Sequence, residues 1–163
     1  MGFAPPRVAV VDMSTVFEDY EKKKDSQASL KKKMDAFKNK LKGLEKDYEE
    51  LKAELRSLDE DSPLYIEKNL RQKEMELRVR QLNATELKSF RGYQLDLLKE
   101  INREIGDEIR NYAHAHDLDL VLERQFAAEA SAIGWPIVHY AKPELDITQE
   151  IAKILNAKYK KKT

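Results

Sequence analysis

A stripe of apolar residues that alternates steps of four and three is the feature that most constrains this chain. It runs through LKKKMDAFKNKLKGLEKDYEELKAELRSL, residues 30–58, and the residues between the stripe positions are nearly all charged or polar. This spacing places the apolar side chains on one narrow face of an α-helix and predicts a coiled coil. The stripe consists of Leu30, Met34, Phe37, Leu41, Leu44, Tyr48, Leu51, Leu55 and Leu58.

The helix that carries this stripe is too long for the interior of a globular domain. Thr15 and Glu18 form a T-x-x-E capping box, and no proline follows until Pro63. A helix from Thr15 to Leu58 has about 44 residues and a length of roughly 65 Å. A compact domain of 163 residues has a radius of gyration of only about 15 Å. The sequence therefore predicts a helix that projects from the rest of the chain.

A second long helix is predicted to return antiparallel to the first. The segment DEDSPLY, residues 59–65, provides a turn with a proline near the start of the next helix, and helical periodicity then continues to about His114. We expect the two stripes to pack against each other as in a left-handed coiled coil. The predicted stripe of the second helix is Ile66, Leu70, Leu77, Ala84, Leu87, Leu98, Ile101, Ile105 and Tyr112, interrupted by Lys73, Arg80, Arg91 and Gln94.

The two ends of the chain predict a small body. The segments RVAVVDM (7–13), LDLVLER (118–124) and WPIVHYA (135–141) are typical of short strands. A final helix follows, with Asp146 as its N-cap and Ile147, Ile151, Ile154 and Leu155 on one face. Three short strands enclose little core, so we expect self-association.

The predicted fold class is α+β, with a small β-body and a long antiparallel helical hairpin. We place the body in residues 1–29 plus 98–163 and the hairpin arm in residues 30–97, with its tip near 59–65. Polar residues Lys23 and Gln27 occupy stripe positions in residues 21–29. We therefore expect loose packing in that segment.

Composition narrows the functional classes. The chain has 30 basic and 30 acidic side chains, a balance that argues against a nucleic-acid binder. It has no cysteine, and its five glycines never form a glycine-rich phosphate loop. We expect no enzymatic activity, no catalytic residue, no cofactor and no metal site. The sequence contains no run of about 18 apolar residues, so it predicts no membrane-spanning helix.

The order of these elements and three of the segments resemble the Skp (OmpH-like) family of periplasmic chaperones. The segments are VAVVDMSTVF (8–17), LDLVLE (118–123) and IVHYAKPELDITQEIAKIL (137–155). The resemblance implies a homotrimer with a shared β-body and three helical arms that enclose unfolded outer-membrane proteins without nucleotide. It also implies a periplasmic location, with a signal peptide outside this sequence. The residues expected in the subunit interfaces are Val8, Val10, Leu118, Leu120, Leu122, Ile137 and Val138.

A further row of large apolar residues lies largely opposite the predicted stripe of the second helix. If the first helix covers the stripe, this row stays uncovered, and uncovered apolar rows usually mark contact surfaces. Methionine and aromatic residues suit adaptable contacts. We predict that the row binds client polypeptides, with packing on a neighbouring subunit or the body as the alternative. It consists of Met75, Val79, Leu82, Phe90, Tyr93 and Leu97.

Two alternatives stay open beside an ATP-independent holdase. One is a prefoldin-like cytoplasmic chaperone, which also carries helical hairpins on a β-body. The other is a structural or polyanion-binding coiled coil. The lysine runs at residues 22–24 and 31–33 suit weak contact with anionic lipid, although a solvated helix face explains them as well. Well-known members of the Skp family are strongly basic, whereas this chain is neutral overall.

Overall fold

The computed structural model of the protein describes residues 5–126 and 135–162. Its elements in chain order are β1 (Val8–Val11), α1 (Met13–Asp19), α2 (Glu21–Leu55), α3 (Pro63–Ala115), β2 (Leu120–Glu123), β3 (Gln125–Phe126), β4 (Trp135–Pro136) and α4 (Thr148–Lys160). A short 3₁₀ helix, Pro143–Leu145, precedes α4. The chain divides into two compact units, which we call the terminal unit (residues 1–26 and 96–163) and the hairpin unit (residues 27–95).

The strands of the terminal unit form two short ladders. β1 and β2 pair in parallel, with Val8 opposite Leu120, and β3 pairs with β4 antiparallel. The strands are shorter than the sequence predicts, and β4 has only two residues. Pro136 has no amide to donate, and the amides of Ile137 and Val138 both donate to the carbonyl of Arg124, which ends the ladder.

One apolar core holds the terminal unit together. Val16, Ile101, Ile105 and Ile151 are completely buried, so α1, α3 and α4 all contribute to it. Burial of a large apolar side chain stabilises a fold by about 1.5–3 kcal/mol, which makes this core the main source of stability in the unit. Its members are Ala9, Val11, Val16, Tyr20, Ile101, Ile105, Ile147, Ile151, Ala152 and Leu155.

The first helical segment is interrupted, whereas the sequence predicts one continuous helix. Asp12, not Thr15, is the N-cap of α1, and its Oδ1 accepts the amide of Thr15 at 3.0 Å. Tyr20 then adopts an extended backbone between α1 and α2. Asn156 stabilises the new start, because its Oδ1 accepts the amide of Glu21 at 2.8 Å. The capping-box assignment and the uninterrupted helix from Thr15 are therefore wrong.

The first residues of α2 are attached within the terminal unit, so the expectation of loose packing in residues 21–29 is wrong at Lys23, whereas Gln27 is exposed. Lys22 donates to Glu100 and to Glu104, both at 2.7 Å. Burial opposes the charge of Lys22, but these two hydrogen bonds outweigh it and raise its pKa. Lys23 is buried, pairs with Glu18 at 2.5 Å and lies over the ring of Phe17. At the stripe position Lys23, an ion pair and a cation–π contact therefore take the place of apolar packing.

In the hairpin unit, α2 and α3 run antiparallel. Glu54 of α2 pairs with Lys68 of α3, and farther along the unit Phe37 contacts Phe90. Ser62 caps α3, since its Oγ accepts the amide of Tyr65 at 3.1 Å, and Pro63 occupies the first helical position. The predicted stripe of α2 is confirmed, because each of its residues from Leu30 to Leu58 is buried or half-buried.

Candidate functional site

Two apolar rows run along α3 in the hairpin unit, and the structure decides which of them faces α2. The rings of Phe90 and Phe37 meet edge to face with centroids 6.0 Å apart. The amide of Gln72 donates to the hydroxyl of Tyr48 at 3.2 Å. The ring of Tyr93 lies under the ammonium of Lys33, 5.5 Å from its centroid. These contacts identify the row of α3 that faces α2, which we call the inward row.

The predicted client-binding residues belong to this inward row. Met75, Val79, Leu82 and Phe90 are half-buried in the hairpin unit, and Tyr93 is 40% exposed. Leu97 packs against the core of the terminal unit. The premise that the first helix leaves this row uncovered is wrong. Client contact through these six residues stays a prediction without that structural basis.

The predicted stripe of α3 is exposed along the hairpin unit. Ile66 is 55% exposed, Leu70 and Leu77 are each 58% exposed, and Leu87 is 49% exposed. Farther along the same helix, Ile101 and Ile105 are buried in the terminal unit, as the stripe predicts. The predicted burial of the stripe is therefore confirmed at Ile101 and Ile105, which lie in the core of the terminal unit, and is wrong from Ile66 to Leu87 and at Leu98, which is 39% exposed.

The residues predicted for subunit interfaces fall into two groups within the terminal unit. Leu120, Leu122 and Ile137 are exposed, at 48%, 36% and 52%. Val8, Leu118 and Val138 are half-buried, and Leu118 packs against the core. Val10 is only 3% exposed within its own chain, so it has no free surface to offer a partner. Exposed Trp135 and Tyr140 were not predicted, although they lie in the same WPIVHY segment as Ile137.

The Asp-Ile-Thr segment before α4 fastens β1 to the rest of the terminal unit. The amide of Ile147 donates to the carbonyl of Val10 at 2.9 Å. The hydroxyl of Thr148 accepts the amide of Asp12 at 2.9 Å. The sequence predicts Asp146 as the N-cap of α4, but the N-cap in the structure is Ile147. Asp146 lies one residue earlier, and its Oδ1 accepts the amide of Thr148 at 3.0 Å. The segment thus covers one edge of β1 and the start of α1.

The pKa values of two carboxylates near this segment are shifted in opposite directions. Burial opposes ionisation of Asp146, but hydrogen bonds from Thr148 and the pairing with Arg124 at 2.6 Å outweigh it and lower its pKa. Burial raises the pKa of Glu123, and hydrogen bonds from nearby amides only partly offset that effect. Both groups accept structural hydrogen bonds near the end of β2, Glu123 from the amide of Met13 and Asp146 from Arg124.

The described helices include none that is long and apolar enough to cross a membrane. In residues 5–126 and 135–162, no group of three or more His, Cys, Asp or Glu side chains is arranged to hold a metal ion. Large apolar side chains are exposed along the stripe of α3 and in a group of the terminal unit that includes Leu120 and Trp135.

The family model of OmpH-like outer membrane proteins matches residues 7–155 of this chain. The chain belongs to the OmpH-like family. No curated protein sequence matches it. A similar solved structure is that of an OmpH-like protein from Caulobacter crescentus CB15, described as a candidate outer membrane chaperone. The two share 17% sequence identity with a TM-score of 0.73, over 96% of this chain and 88% of the other.

The fold of this OmpH-like protein is similar to that of the Caulobacter structure. The matched range includes the three segments by which the sequence resembled the family, at 8–17, 118–123 and 137–155. Within the described residues these segments supply β1, β2 and most of α4, which form the core of the terminal unit with α1 and part of α3.

Proposed function

We propose that this OmpH-like protein is an ATP-independent holdase chaperone of the periplasm. It binds unfolded outer-membrane proteins and keeps them from aggregating until they fold into the membrane. Membership of the OmpH-like family and the likeness to a candidate outer membrane chaperone support this proposal. Release needs no energy source, because a client that folds into a membrane removes its own apolar surface.

The observation that carries the proposal is that each unit exposes several large apolar side chains to solvent. Soluble monomers rarely expose contiguous apolar patches of more than a few hundred Å², and larger ones usually mark interaction surfaces. In the hairpin unit the exposed residues are Leu64, Ile66, Leu70, Leu77, Leu87, Tyr93 and Leu95. In the terminal unit they are Leu98, Leu120, Leu122, Trp135, Ile137, Tyr140 and Leu145.

We assign the exposed group of the hairpin unit to contact with client polypeptides and that of the terminal unit to contact with other copies of the chain. The strand ladders in the described part of the terminal unit are two-stranded, and such ladders are marginal without further packing, so its exposed group suits contact with other copies of the chain. A homotrimer built through this unit would present three hairpins to one client. Several weak contacts with one client then combine through a high effective concentration, so no single contact needs to be strong.

The test combines a mass measurement with an aggregation assay. We expect a trimer by light scattering coupled to size-exclusion chromatography. We also expect the protein, without nucleotide, to suppress light scattering when a urea-unfolded outer-membrane β-barrel is diluted into buffer. A chain that is monomeric and leaves aggregation unchanged would contradict the proposal. Salt-sensitive binding to nucleic acid without suppression would favour the polyanion-binding alternative.

A further inference from the structure

The outward face of α3 in the hairpin unit combines leucine with positive charge. The stripe positions from 66 to 94 keep the four–three spacing without a break, and no acidic residue occupies any of them. We call this set the outward stripe. Its members are Ile66, Leu70, Lys73, Leu77, Arg80, Ala84, Leu87, Arg91 and Gln94. All of them are exposed.

The cations of the outward stripe are mostly available to a partner. Arg80 pairs with Glu76 one turn earlier at 2.5 Å, and its side chain is still 73% exposed. Lys73 and Arg91 form no ion pair with any carboxylate in the described part of the chain. A surface pair such as Arg80–Glu76 contributes little and is readily exchanged for another carboxylate.

The charges argue against a second copy of this stripe as its occupant. Parallel, in-register pairing would place Lys73, Arg80 and Arg91 against their own counterparts, and like charges at the core of a coiled coil destabilise it. An occupant that brings carboxylates together with apolar side chains would satisfy both features of the stripe. Water-exposed leucines would be covered, and the three cations would gain partners.

Building on the proposed function, we propose that the outward stripe is the client-contact surface of the hairpin and that it selects extended polypeptide segments in which acidic residues accompany apolar ones. From Ile66 to Gln94 the stripe is about 42 Å long at 1.5 Å per residue. An extended chain at about 3.3 Å per residue covers that length with about 13 residues. The site therefore fits a short unfolded segment of that composition, whatever the order of its residues.

The first test measures binding of short peptides by fluorescence anisotropy. Three labelled peptides of about 13 residues have equal leucine content in a serine and glycine background and differ only in carrying glutamate, glutamine or lysine. We expect the glutamate peptide to bind at least about fivefold more tightly than the lysine peptide at low salt, with the difference shrinking as salt is added. Equal binding of all three peptides would overturn the selectivity.

Two triple variants separate the apolar and charged contributions. Leu70→Ser, Leu77→Ser and Leu87→Ser together should weaken binding of every peptide at least about tenfold, because the leucines supply the contact area. Lys73→Gln, Arg80→Gln and Arg91→Gln together should leave the glutamine peptide within about twofold and abolish the preference for glutamate. The matched control removes three exposed lysines from α2 by Lys31→Gln, Lys38→Gln and Lys42→Gln and should preserve the preference.

The outcomes distinguish a failure of the proposed function from a failure of the outward stripe as the client-contact surface. If the unmodified protein suppresses aggregation of the β-barrel and the serine variant does so equally well, the outward stripe is not the client-contact surface. If the serine variant loses subunits by light scattering, the stripe is a contact between copies, which also overturns the assignment. If the unmodified protein suppresses no aggregation, the proposed function itself fails, whatever the peptides do.

Discussion

Exchanging one side chain on each face of α3 tests which row packs on α2. Phe90 is half-buried with its ring against Phe37, and Leu87, three residues earlier, is 49% exposed. A fully buried Phe→Ala change costs about 3–5 kcal/mol. Half of that burial gives an expected loss of about 2 kcal/mol for Phe90→Ala, which includes the lost ring contact. Leu87→Ala should cost less than about 0.5 kcal/mol, because little contact is lost and alanine favours helix.

The assay is urea denaturation monitored by far-UV circular dichroism. The two variants are compared on the condition that m, the dependence of the unfolding free energy on urea concentration, is the same for both. Phe90→Leu serves as the control, because it keeps an apolar contact without the ring and should fall between the wild type and Phe90→Ala. A loss at Leu87→Ala equal to that at Phe90→Ala would refute the assignment of the two rows. If that loss shrank as the protein was diluted until its subunits separated, a neighbouring subunit would be covering Leu87.

Three further predictions concern the terminal unit. Ile101→Ala should lower the free energy of unfolding by about 3–5 kcal/mol in the same assay, since Ile101 is completely buried and leaves a cavity. Tyr20→Phe should cost about 1–2 kcal/mol by urea denaturation, because it removes the hydroxyl that donates to Glu104 at 2.8 Å. The pKa of Asp146 is lower in the folded state than in the unfolded state, so its carboxylate stabilises the fold above about pH 4 and this contribution disappears as pH falls through the folded value. Asp146→Asn should therefore be less stable than the wild type at pH 7, and the difference should vanish in strong acid; a constant difference from neutral pH to strong acid would show that the charge is not involved.

The sequence is sufficient to find the long helices, because their periodicity continues over many turns. The α2 stripe carries large apolar residues on one face only, so a single burial pattern satisfies it, and the structure agrees from Leu30 to Leu58. The core positions Ile101, Ile105, Ile151 and Leu155 were also predictable, since strict spacing and large side chains coincide there.

The choice between the two rows of α3 was not predictable from periodicity. Both rows follow steps of three or four residues, although the inward row has a step of eight from Leu82 to Phe90, so the outward stripe has the more regular spacing. The inward row makes the aromatic contact and the side-chain hydrogen bond to α2, Phe37 with Phe90 and Tyr48 with Gln72. A search for aromatic residues at matching distances from the tip of the hairpin would have indicated this pairing.

Interruptions in regular structure also depended on distant residues. The break at Tyr20 is stabilised by Asn156 and Glu104, each more than eighty residues away in sequence. Asp146 pairs with Arg124, which lies 22 residues earlier in the sequence. Local patterns cannot predict such boundaries, because the partners that stabilise them come from another part of the chain.

The parallel pairing of β1 with β2 has a consequence for the order of folding. Arg7 and Asp119, hydrogen-bonded at the start of this pair, are separated by 112 residues. Closing so long a loop directly costs about 2 kcal/mol more than closing one of about ten residues. A helical hairpin that forms first from local contacts shortens the effective loop and lets the strands meet more readily. On the ribosome, β1 leaves the tunnel long before β2, so the first strand must remain unpaired until most of the chain has been synthesised.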